Sequence, residues 1–226
     1  MKTSERQAQV VAIGDVHGCA TLLRETIWPY LGSGAELIFL GDLIDRSPEP
    51  DGDRQVIELV RELQDNPEAY GLAGGTVLRG NHEQMLLDAL AEEEPAEATD
   101  LWQWNGGNPG FLPVASAHQA WLESLPLKAQ RGDYLFVHAG VRPGVPLERQ
   151  RSDDLLWIRG PFLKRHHGLD CTVVHGHTFL SDYRITQLPH RIGIDTGAFV
   201  SGRLTALPLD PWTKREQTVM HQPVNE

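Results

Sequence analysis

The sequence is poor in cysteine, in basic residues and in long apolar runs, and each shortage excludes a class of protein. Cys19 and Cys171 are the only two cysteines among 226 residues, so we expect two reduced thiols and no disulfide framework. The first apolar stretch, Val10–Ile13, is far too short for a signal-peptide core or a membrane span. We therefore expect a cytoplasmic protein that does not bind membranes.

The charge balance excludes another class. Against 31 acidic residues the chain has 20 basic ones, a formal charge of −11 at pH 7. Nonspecific binding of nucleic acid needs a basic face that displaces counterions from the phosphates, so nucleic acid is not an expected partner. Because carboxylates can also bind cations, this negative charge does not argue against a phosphorylated substrate.

What the chain does contain is enough apolar sequence for one substantial core. Hydrophobic residues make up 40% of the sequence and charged residues 23%, ordinary values for a globular protein. A length of 226 residues fits one α/β domain better than two small ones. We expect a single domain over residues 1–226.

The first half of the chain alternates β-rich and helical patterns. Residues 9–16, 36–44 and 76–79 are predicted strands, and residues 19–31, 53–63 and 82–92 are predicted helices. This βαβαβ order predicts a parallel sheet with right-handed crossovers. Residues 92–100 are acidic and interrupted by proline, which is typical of a solvated loop.

The second half predicts helices and then a second group of strands. Helical patterns cover residues 101–106 and 114–125, and strands are predicted at 134–139 and 172–177. The run from residue 184 to 207 predicts an antiparallel meander. Residues 142–152, rich in proline and arginine, form either a surface loop or a substrate-facing one, and the second is slightly favoured. We expect two packed sheets flanked by helices.

Five short motifs stand at the carboxyl ends of predicted strands: GDVHG at 14–18, GDLIDR at 41–46, RGNHE at 79–83, HAG at 138–140 and HGHT at 175–178. In open α/β sheets this edge is where loops converge on a ligand. Pooled, the motifs supply carboxylate, amide and imidazole groups, a donor set that suits Mn, Fe, Zn or Co. Each motif alone is weak, because a Gly-Asp pair is often a turn. Five together predict a metal site.

The five motifs resemble the signature of the phosphoprotein phosphatase family of metallophosphoesterases, and are most similar to its bacterial and bacteriophage branch, typified by lambda phosphatase. The similarity extends to GNHEQMLLDAL at 80–90, WQWNGG at 102–107, LLWIR at 155–159 and the run 194–207, so it covers nearly the whole chain. It implies the calcineurin-like fold, in which two mixed sheets pack as a sandwich flanked by helices in the order α/β/β/α.

The resemblance also implies a dinuclear metal site. In it, Asp15 and His17 bind the first cation and Asp42 bridges both. The second cation takes Asn81, His138 and His177. Mn²⁺ is the first candidate for both ions, with Fe, Zn and Co as alternatives. The bridging position needs a carboxylate because one group must serve two cations.

The same resemblance assigns the catalytic groups. It makes His82 the general acid and Asp45 the carboxylate that orients its ring. The arginines that would hold the phosphoryl oxygens are Arg46, Arg79 and Arg159, although for Arg159 a surface ion pair remains an alternative. Two neighbouring residues stay open. His175 can support the metal site or pack in the core, and Asp195 can support a ligand histidine or form a turn.

These assignments imply a phosphomonoester hydrolase, foremost a serine/threonine protein phosphatase with phosphotyrosine as a further substrate, acting by direct attack of a metal-bridging hydroxide. Its partner is a phosphorylated protein or peptide, and its oligomeric state stays open, with a monomer allowed. The alternative is a symmetrical dinucleoside tetraphosphate hydrolase, disfavoured by Asp45 and Glu83. A phosphodiesterase is third, because Phe179 stands where that group often has histidine. A non-catalytic phosphoprotein scaffold would lack one of these residues.

Overall fold

The computed structural model of this chain describes residues 8–91 and 96–210. Three parts of the sequence-based predictions lie outside the described residues: the two ends of the 1–226 domain, at residues 1–7 and 211–226, and residues 92–95 of the acidic segment.

Nine strands occur within the described residues: β1 (Val10–Ile13), β2 (Glu36–Phe39), β3 (Gly74–Val77), β4 (Lys128–Arg131), β5 (Tyr134–Val137), β6 (Thr172–His175), β7 (Thr186–Leu188), β8 (Arg191–Gly193) and β9 (Ala206–Leu209). The described part also has eight α-helices: α1 (Ala20–Ile27), α2 (Gly52–Asp65), α3 (Asn81–Leu90), α4 (Ala96–Trp104), α5 (Leu112–Ser124), α6 (Ser152–Trp157), α7 (Gly160–Leu163) and α8 (Ala198–Ser201). No described helix has both the length and the apolar character needed to cross a membrane.

The first sheet contains the predicted βαβαβ unit. Its strand order is β3-β2-β1-β9, and β1, β2 and β3 run parallel. Every residue of β1 is buried, because helices cover one face of the sheet and the second sheet covers the other. The predicted parallel arrangement is therefore confirmed.

The second sheet has the order β4-β5-β6-β8-β7, with parallel β5, β6 and β8 between two antiparallel edge strands. The predicted antiparallel meander is wrong beyond β7 and β8. Strand β9 leaves this sheet and pairs antiparallel with β1, and its Leu207 and Leu209 are buried between the two sheets. Strand β4 had no prediction, because its polar sequence KAQR shows no apolar alternation.

The two sheets pack face to face, with helices on the outside. Val10 and Ala12 of β1 face the second sheet, where Phe136 and Val174 belong to the same cluster, while Val11 and Ile13 face the helices. A third cluster fills the outer face of the second sheet. The predicted α/β/β/α order of a calcineurin-like fold is confirmed.

Several element boundaries differ from the predictions for a physical reason. Strand β2 ends at Phe39 and not at residue 44, because Gly41 and Asp42 have φ angles of 94° and 50°, which no extended strand allows. The acidic segment is not a loop throughout, since α4 begins at Ala96. Because β2 ends early, the motif residues that follow it lie in a loop at one edge of the sheet.

Candidate active site

The five motifs meet at the carboxyl ends of five strands. Asp15 follows β1, Asp42 follows β2, Asn81 follows β3, His138 follows β5 and His177 follows β6. A cavity of about 210 Å³ opens at this edge. It is lined by Asp15, His17, Asp42, Arg46, Asn81, His82, Asn105, Trp157, Arg159, His177, Phe179 and Asp195. All the residues predicted for the site, other than His138, Asp45 and Arg79, therefore line one cavity.

The backbone at this edge is unusual. Seven described residues other than glycine have a positive φ, and five of them are predicted site residues: His17, Asp42, Asp45, Arg46 and His177. Each such conformation costs on the order of 1 kcal/mol or more and persists only where surrounding structure imposes it. Part of that support is visible, because the carbonyl of Asp42 accepts hydrogen bonds from the backbone N–H groups of Val16 and His17, at 2.9 and 3.0 Å.

The first group of candidate ligand atoms surrounds one oxygen of Asp42. His17 Nε2 lies 3.8 Å and His82 Nε2 3.9 Å from Asp42 Oδ2. His17 Nδ1 donates to the carbonyl of Ile44 at 2.9 Å. A carbonyl can only accept, so Nδ1 carries the proton and the lone pair of His17 lies on Nε2, which faces the cavity.

The second group surrounds the other Asp42 oxygen. His138 Nε2 lies 3.4 Å from Asp42 Oδ1, 3.2 Å from His177 Nδ1 and 2.8 Å from Asn81 Oδ1. His138 Nδ1 donates to the carbonyl of Leu40 at 2.9 Å, which directs the lone pair on Nε2 toward Asp42 and Asn81. Asp42 thus lies between two groups of ligand atoms, each of which can hold a metal ion.

Asp15 enters the site through a close backbone approach. Its carboxylate accepts the backbone N–H of His177, with Oδ1 and Oδ2 at 3.2 and 3.0 Å. A Cβ atom on Gly176 would lie 1.9 Å from Asp15 Oδ1, so only glycine permits this contact. The HGHT motif therefore needs its glycine to bring Asp15 next to His177.

The electrostatics of the site fit divalent cations. Burial first, and then His82 and Arg46, against the opposing effect of Asp42, lower the pKa of His17 to about 3. Burial and the neighbouring His138 lower the pKa of His177 to about 2. Both imidazoles are therefore neutral near pH 7, as metal ligands must be.

The carboxylates show the complementary effect. Burial, followed by the nearby Asp195 and Asp42 carboxylates, raises the pKa of Asp15 well above its ordinary value. Crowded buried carboxylates are stabilised when cations bind between them, and the oxygen and nitrogen donors present suit Mn, Fe, Zn or Co. The residues of the cavity thus fit the metals that the sequence predicted.

A buried histidine–carboxylate pair lies beside the first ligand group. His82 Nδ1 donates to Asp45 Oδ2 at 2.6 Å, and both side chains are excluded from solvent. Burial lowers the pKa of His82, but the carboxylates of Asp42 and Asp45 outweigh burial, so the net pKa is raised. The bond to Asp45 leaves Nε2 of His82 directed at the cavity.

The three predicted phosphate-binding arginines occupy different places. Arg46 and Arg159 line the cavity, where Arg46 Nη1 lies 3.3 Å from His17 Nε2 and Arg159 Nε donates to His177 Nε2 at 3.1 Å. Arg79 does not line it. Its guanidinium donates to Gln84 Oε1 at 2.9 Å and to the carbonyl of Glu123. The prediction that Arg79 contacts phosphate therefore has no support in this geometry.

The two residues that the sequence left open also take different places. His175 is buried away from the cavity, with its ring edge-on to Phe162 at 5.0 Å and Nε2 3.5 Å from Arg191 Nη1. Asp195 lines the cavity and accepts the backbone N–H of Gly197 at 2.9 Å, so it forms a turn beside Asp15.

The 142–152 loop contributes nothing to the cavity lining among the described residues. Arg142 instead donates from Nε to Asp154 Oδ2 at 2.8 Å, and Arg151 pairs with Asp153 at 3.0 Å. A substrate-facing role for this loop would have to act outside the cavity, on a longer substrate.

Sequence reasoning missed four residues that shape the site. Glu83 accepts three backbone N–H groups, Trp102 donates to Asp45, Asn105 lines the cavity, and Phe199 packs its ring 5.0 Å from that of His17. For Glu83 a signal existed, because a glutamate three residues after Gly80 at a helix start is typical of a capping box. For Trp102, the conspicuous WQWNGG sequence gave no indication of the indole's partner.

Fold and site together are those of a metallophosphoesterase, a hydrolase of phosphate esters, with candidate metal ligands at the carboxyl ends of the strands of two packed sheets. A family model described as "Calcineurin-like phosphoesterase" matches residues 8–197. The chain belongs to that family of metal-dependent hydrolases, as its phosphoprotein phosphatase-like motifs predicted.

Known relatives differ in the substrates that their names give. The chain is 31% identical to "Serine/threonine-protein phosphatase 1" of Salmonella typhimurium over 87% of this chain and 89% of the relative. It is 27% identical to the asymmetrical bis(5'-nucleosyl)-tetraphosphatase PrpE of Anoxybacillus flavithermus over 86% of this chain and 88% of that protein. A crystal structure titled as a putative diadenosine tetraphosphatase shares the fold, with a TM-score of 0.62 and 21% identity over 90% of this chain and 95% of that one.

Proposed function

We propose that this chain is a manganese-dependent serine/threonine protein phosphatase, which also accepts phosphotyrosine. One observation carries the proposal: the buried His82–Asp45 pair, joined at 2.6 Å, directs an imidazole nitrogen into a cavity lined by the candidate metal ligands. The relative named a serine/threonine phosphatase, 31% identical over most of both chains, supports the same choice of substrate.

The proposed metal ligands are those named from the sequence. Asp15, His17 and Asp42 would hold one cation, and Asp42, Asn81, His138 and His177 would hold the other; four of these six belong to the two ligand groups, and Asp15 and Asn81 line the same cavity. Two divalent cations would neutralise the phosphate oxygens and lower the pKa of a water toward neutral pH. The chain's own contribution to them is a set of neutral imidazoles, carboxylates and one amide, in a strained backbone that other contacts impose.

The remaining polar groups of the cavity handle the phosphate and the departing oxygen. Arg46 and Arg159 bind the phosphoryl oxygens, a task for which the planar guanidinium with its paired N–H donors is suited. His82 donates the proton on Nε2 to the leaving-group oxygen, while Asp45 holds Nδ1 and stabilises the positive charge on the ring.

The chemistry of the leaving group favours a protein substrate over a dinucleotide. Serine and threonine leave as strongly basic alkoxides, so cleavage needs a proton donor at the departing oxygen. A nucleoside polyphosphate leaves as a weakly basic phosphate oxygen and gains far less from one. A buried, oriented proton donor is therefore matched to the poorer leaving group.

Dinucleoside tetraphosphate hydrolysis is the second candidate. The observation that favours it is the 27% identical tetraphosphatase, which the chain matches over 88% of that protein's length. The two functions share the metal site and differ in the leaving group. A variant without the proton donor should therefore lose much of the activity on a phosphoserine peptide and far less of the activity on a dinucleotide.

The test compares the metal-depleted protein, with and without added Mn²⁺, on a phosphoserine peptide and on a dinucleoside tetraphosphate. We expect phosphate release from the peptide that requires Mn²⁺, and a loss of about 100-fold or more in kcat for His82→Ala on the peptide. Lys164→Ala, which replaces an exposed residue outside the cavity, is the control and should match the parent. Turnover of the dinucleotide alone would refute the protein phosphatase and support the second candidate.

A further inference from the structure

Asp45 has a second buried partner besides His82. The indole nitrogen of Trp102 lies 3.0 Å from Oδ1 and 3.0 Å from Oδ2 of the Asp45 carboxylate. An indole N–H can only donate, so the Asp45 carboxylate accepts hydrogen bonds from two sides: from Trp102 on α4 and from His82 at the start of α3. Trp102 and Asp45 are both 0% exposed, which means that water does not substitute for either contact.

The segment that carries Trp102 also holds the residue after Asp45. The carbonyl of Asn105 accepts a hydrogen bond from Arg46 Nε at 3.0 Å, and the carbonyl of Gly106 accepts one from the Arg46 backbone N–H at 3.2 Å. Asp45 and Arg46 have φ angles of 68° and 59°, so two consecutive strained residues are supported by one stretch of chain.

The position of the indole ring is itself closely determined. The backbone N–H of Gly107 donates to the carbonyl of Trp102 at 3.0 Å, and a Cβ atom on Gly107 would lie 2.3 Å from Cε2 of the ring. The chain therefore folds back directly against the indole face. Residues 102–107 (WQWNGG) therefore hold the indole ring of Trp102 in place, with its N–H directed at Asp45.

We propose that Trp102 is a positioning residue for proton donation: its indole N–H, through Asp45, holds the His82 ring with Nε2 toward the leaving group. A carboxylate with a single donor can rotate about its Cβ–Cγ bond and take the bound imidazole with it. With two donors from different helices, the plane of the carboxylate is determined. The inference rests on the proposed function, because it needs His82 to act as the proton donor.

Packing alone does not explain why residue 102 is a tryptophan. Its ring belongs to the apolar cluster between the helices and the first sheet, and that role would be served by any large apolar ring. The indole N–H is the one part of the side chain that packing does not use. Trp102→Phe removes that N–H and keeps an aromatic ring in the core, so it separates the two roles.

The test measures how the rate depends on the leaving group. Manganese-loaded parent and Trp102→Phe are compared on 2,4-dinitrophenyl phosphate, phenyl phosphate and a phosphoserine peptide. A dinitrophenolate departs without a proton, whereas phenolate and serine alkoxide need one. We expect kcat to fall about 10-fold or more on phenyl phosphate and the peptide, a part of what a general acid contributes, and to stay near the parent value on the dinitrophenyl ester.

Trp104→Phe is the matched control. It lies two residues further along the same helix, and its side chain is 88% exposed, so it should behave like the parent on all three esters. Gly107→Ala is the second variant, used if Trp102→Phe does not fold, because its Cβ displaces the indole without removing any of its atoms. An equal loss on all three esters, or no loss on phenyl phosphate, would overturn the positioning role.

A second readout does not depend on turnover. In the zinc-loaded protein, which is diamagnetic, the His82 Nδ1 proton bonded to Asp45 should give a strongly downfield NMR resonance. We expect it to shift or to broaden by exchange in Trp102→Phe and to stay in place in Trp104→Phe. An unmoved resonance in Trp102→Phe refutes the inference. A parent that cleaves aryl phosphates but no phosphopeptide would refute the protein phosphatase instead, and leave the comparison of the variants valid.

Discussion

Replacement of Glu83 should disturb the site although Glu83 is not itself a candidate metal ligand. Its Oε2 accepts the backbone N–H groups of Asp42 and Gly80, each at 2.8 Å, and its Oε1 accepts that of Leu43 at 2.8 Å. The carboxylate is fully buried, and Asp42 is one of the strained positions, with φ at 50°. One side chain therefore ties the start of α3 to the loop after β2.

Replacement of Glu83 by glutamine keeps the shape of the side chain and replaces one carboxyl oxygen by an NH₂ group. Only one oxygen remains, so it can accept at most the two bonds now made by Oε2, and the new NH₂ group faces the N–H of Leu43, donor against donor. The loss of one buried hydrogen bond, with the N–H of Leu43 left unsatisfied, should cost about 2–4 kcal/mol. For a chain of this length that corresponds to a fall in Tm of roughly 5–15 °C.

The assay is thermal unfolding followed by circular dichroism, first in EDTA, so that metal binding does not add to the stability of either protein. Asp88→Asn is the control, because Asp88 is an exposed acid on the same helix, and its Oδ1 accepts from Gln84 at 2.8 Å. A Glu83→Gln protein that melts within about 2 °C of the parent would refute the reasoning, since it would show that the three bonds contribute little net stability.

Three further predictions concern the metals and the substrate. Asp42→Asn should bind fewer than two Mn²⁺ per chain in metal analysis after dialysis, since a neutral amide serves two cations poorly; retention of both ions would contradict a bridging role. Arg159→Lys should lower kcat/KM on a phosphopeptide by about 100-fold, whereas Arg79→Lys should leave kcat/KM close to that of the parent. Equal losses in the two variants would show that Arg79 also binds the phosphate. Replacing all three loop arginines by alanine should raise KM for a phosphopeptide more than for an aryl phosphate, and equal effects would exclude peptide docking by Arg142, Arg149 and Arg151.

Much of the fold was predictable because its pattern is local. Strands β1 to β3 are indicated by short runs of apolar residues, and the helices between them by apolar residues at 3.6-residue spacing. The parallel order follows because strands and helices alternate along the chain. Strand β9 could not be assigned in this way. A short apolar strand carries no mark of which sheet it joins, and only packing of Leu207 and Leu209 between the sheets places it beside β1.

The candidate site divides in the same manner. The residues that line the cavity from the five motifs were found from the sequence, because each follows a strand and ligand types are recognisable one residue at a time. Arg79 shows the limit of that approach. It is adjacent to the GNHE motif in sequence, yet its side chain turns to Gln84 and the Glu123 carbonyl, and no local signal records the direction of a side chain.

By itself, then, the sequence determined the family, the layered fold and the set of groups that can bind cations and phosphate. These properties depend on residue type and on order along the chain. Tertiary structure decided which of those groups face one cavity, and which side chains support them from behind. Trp102 and Asp45 are 57 residues apart in sequence and 3.0 Å apart in space. A hydrogen bond over that separation exists only because the tertiary structure packs the end of α4 against the loop after β2, where Asp45 lies, and no pattern along the chain encodes that packing.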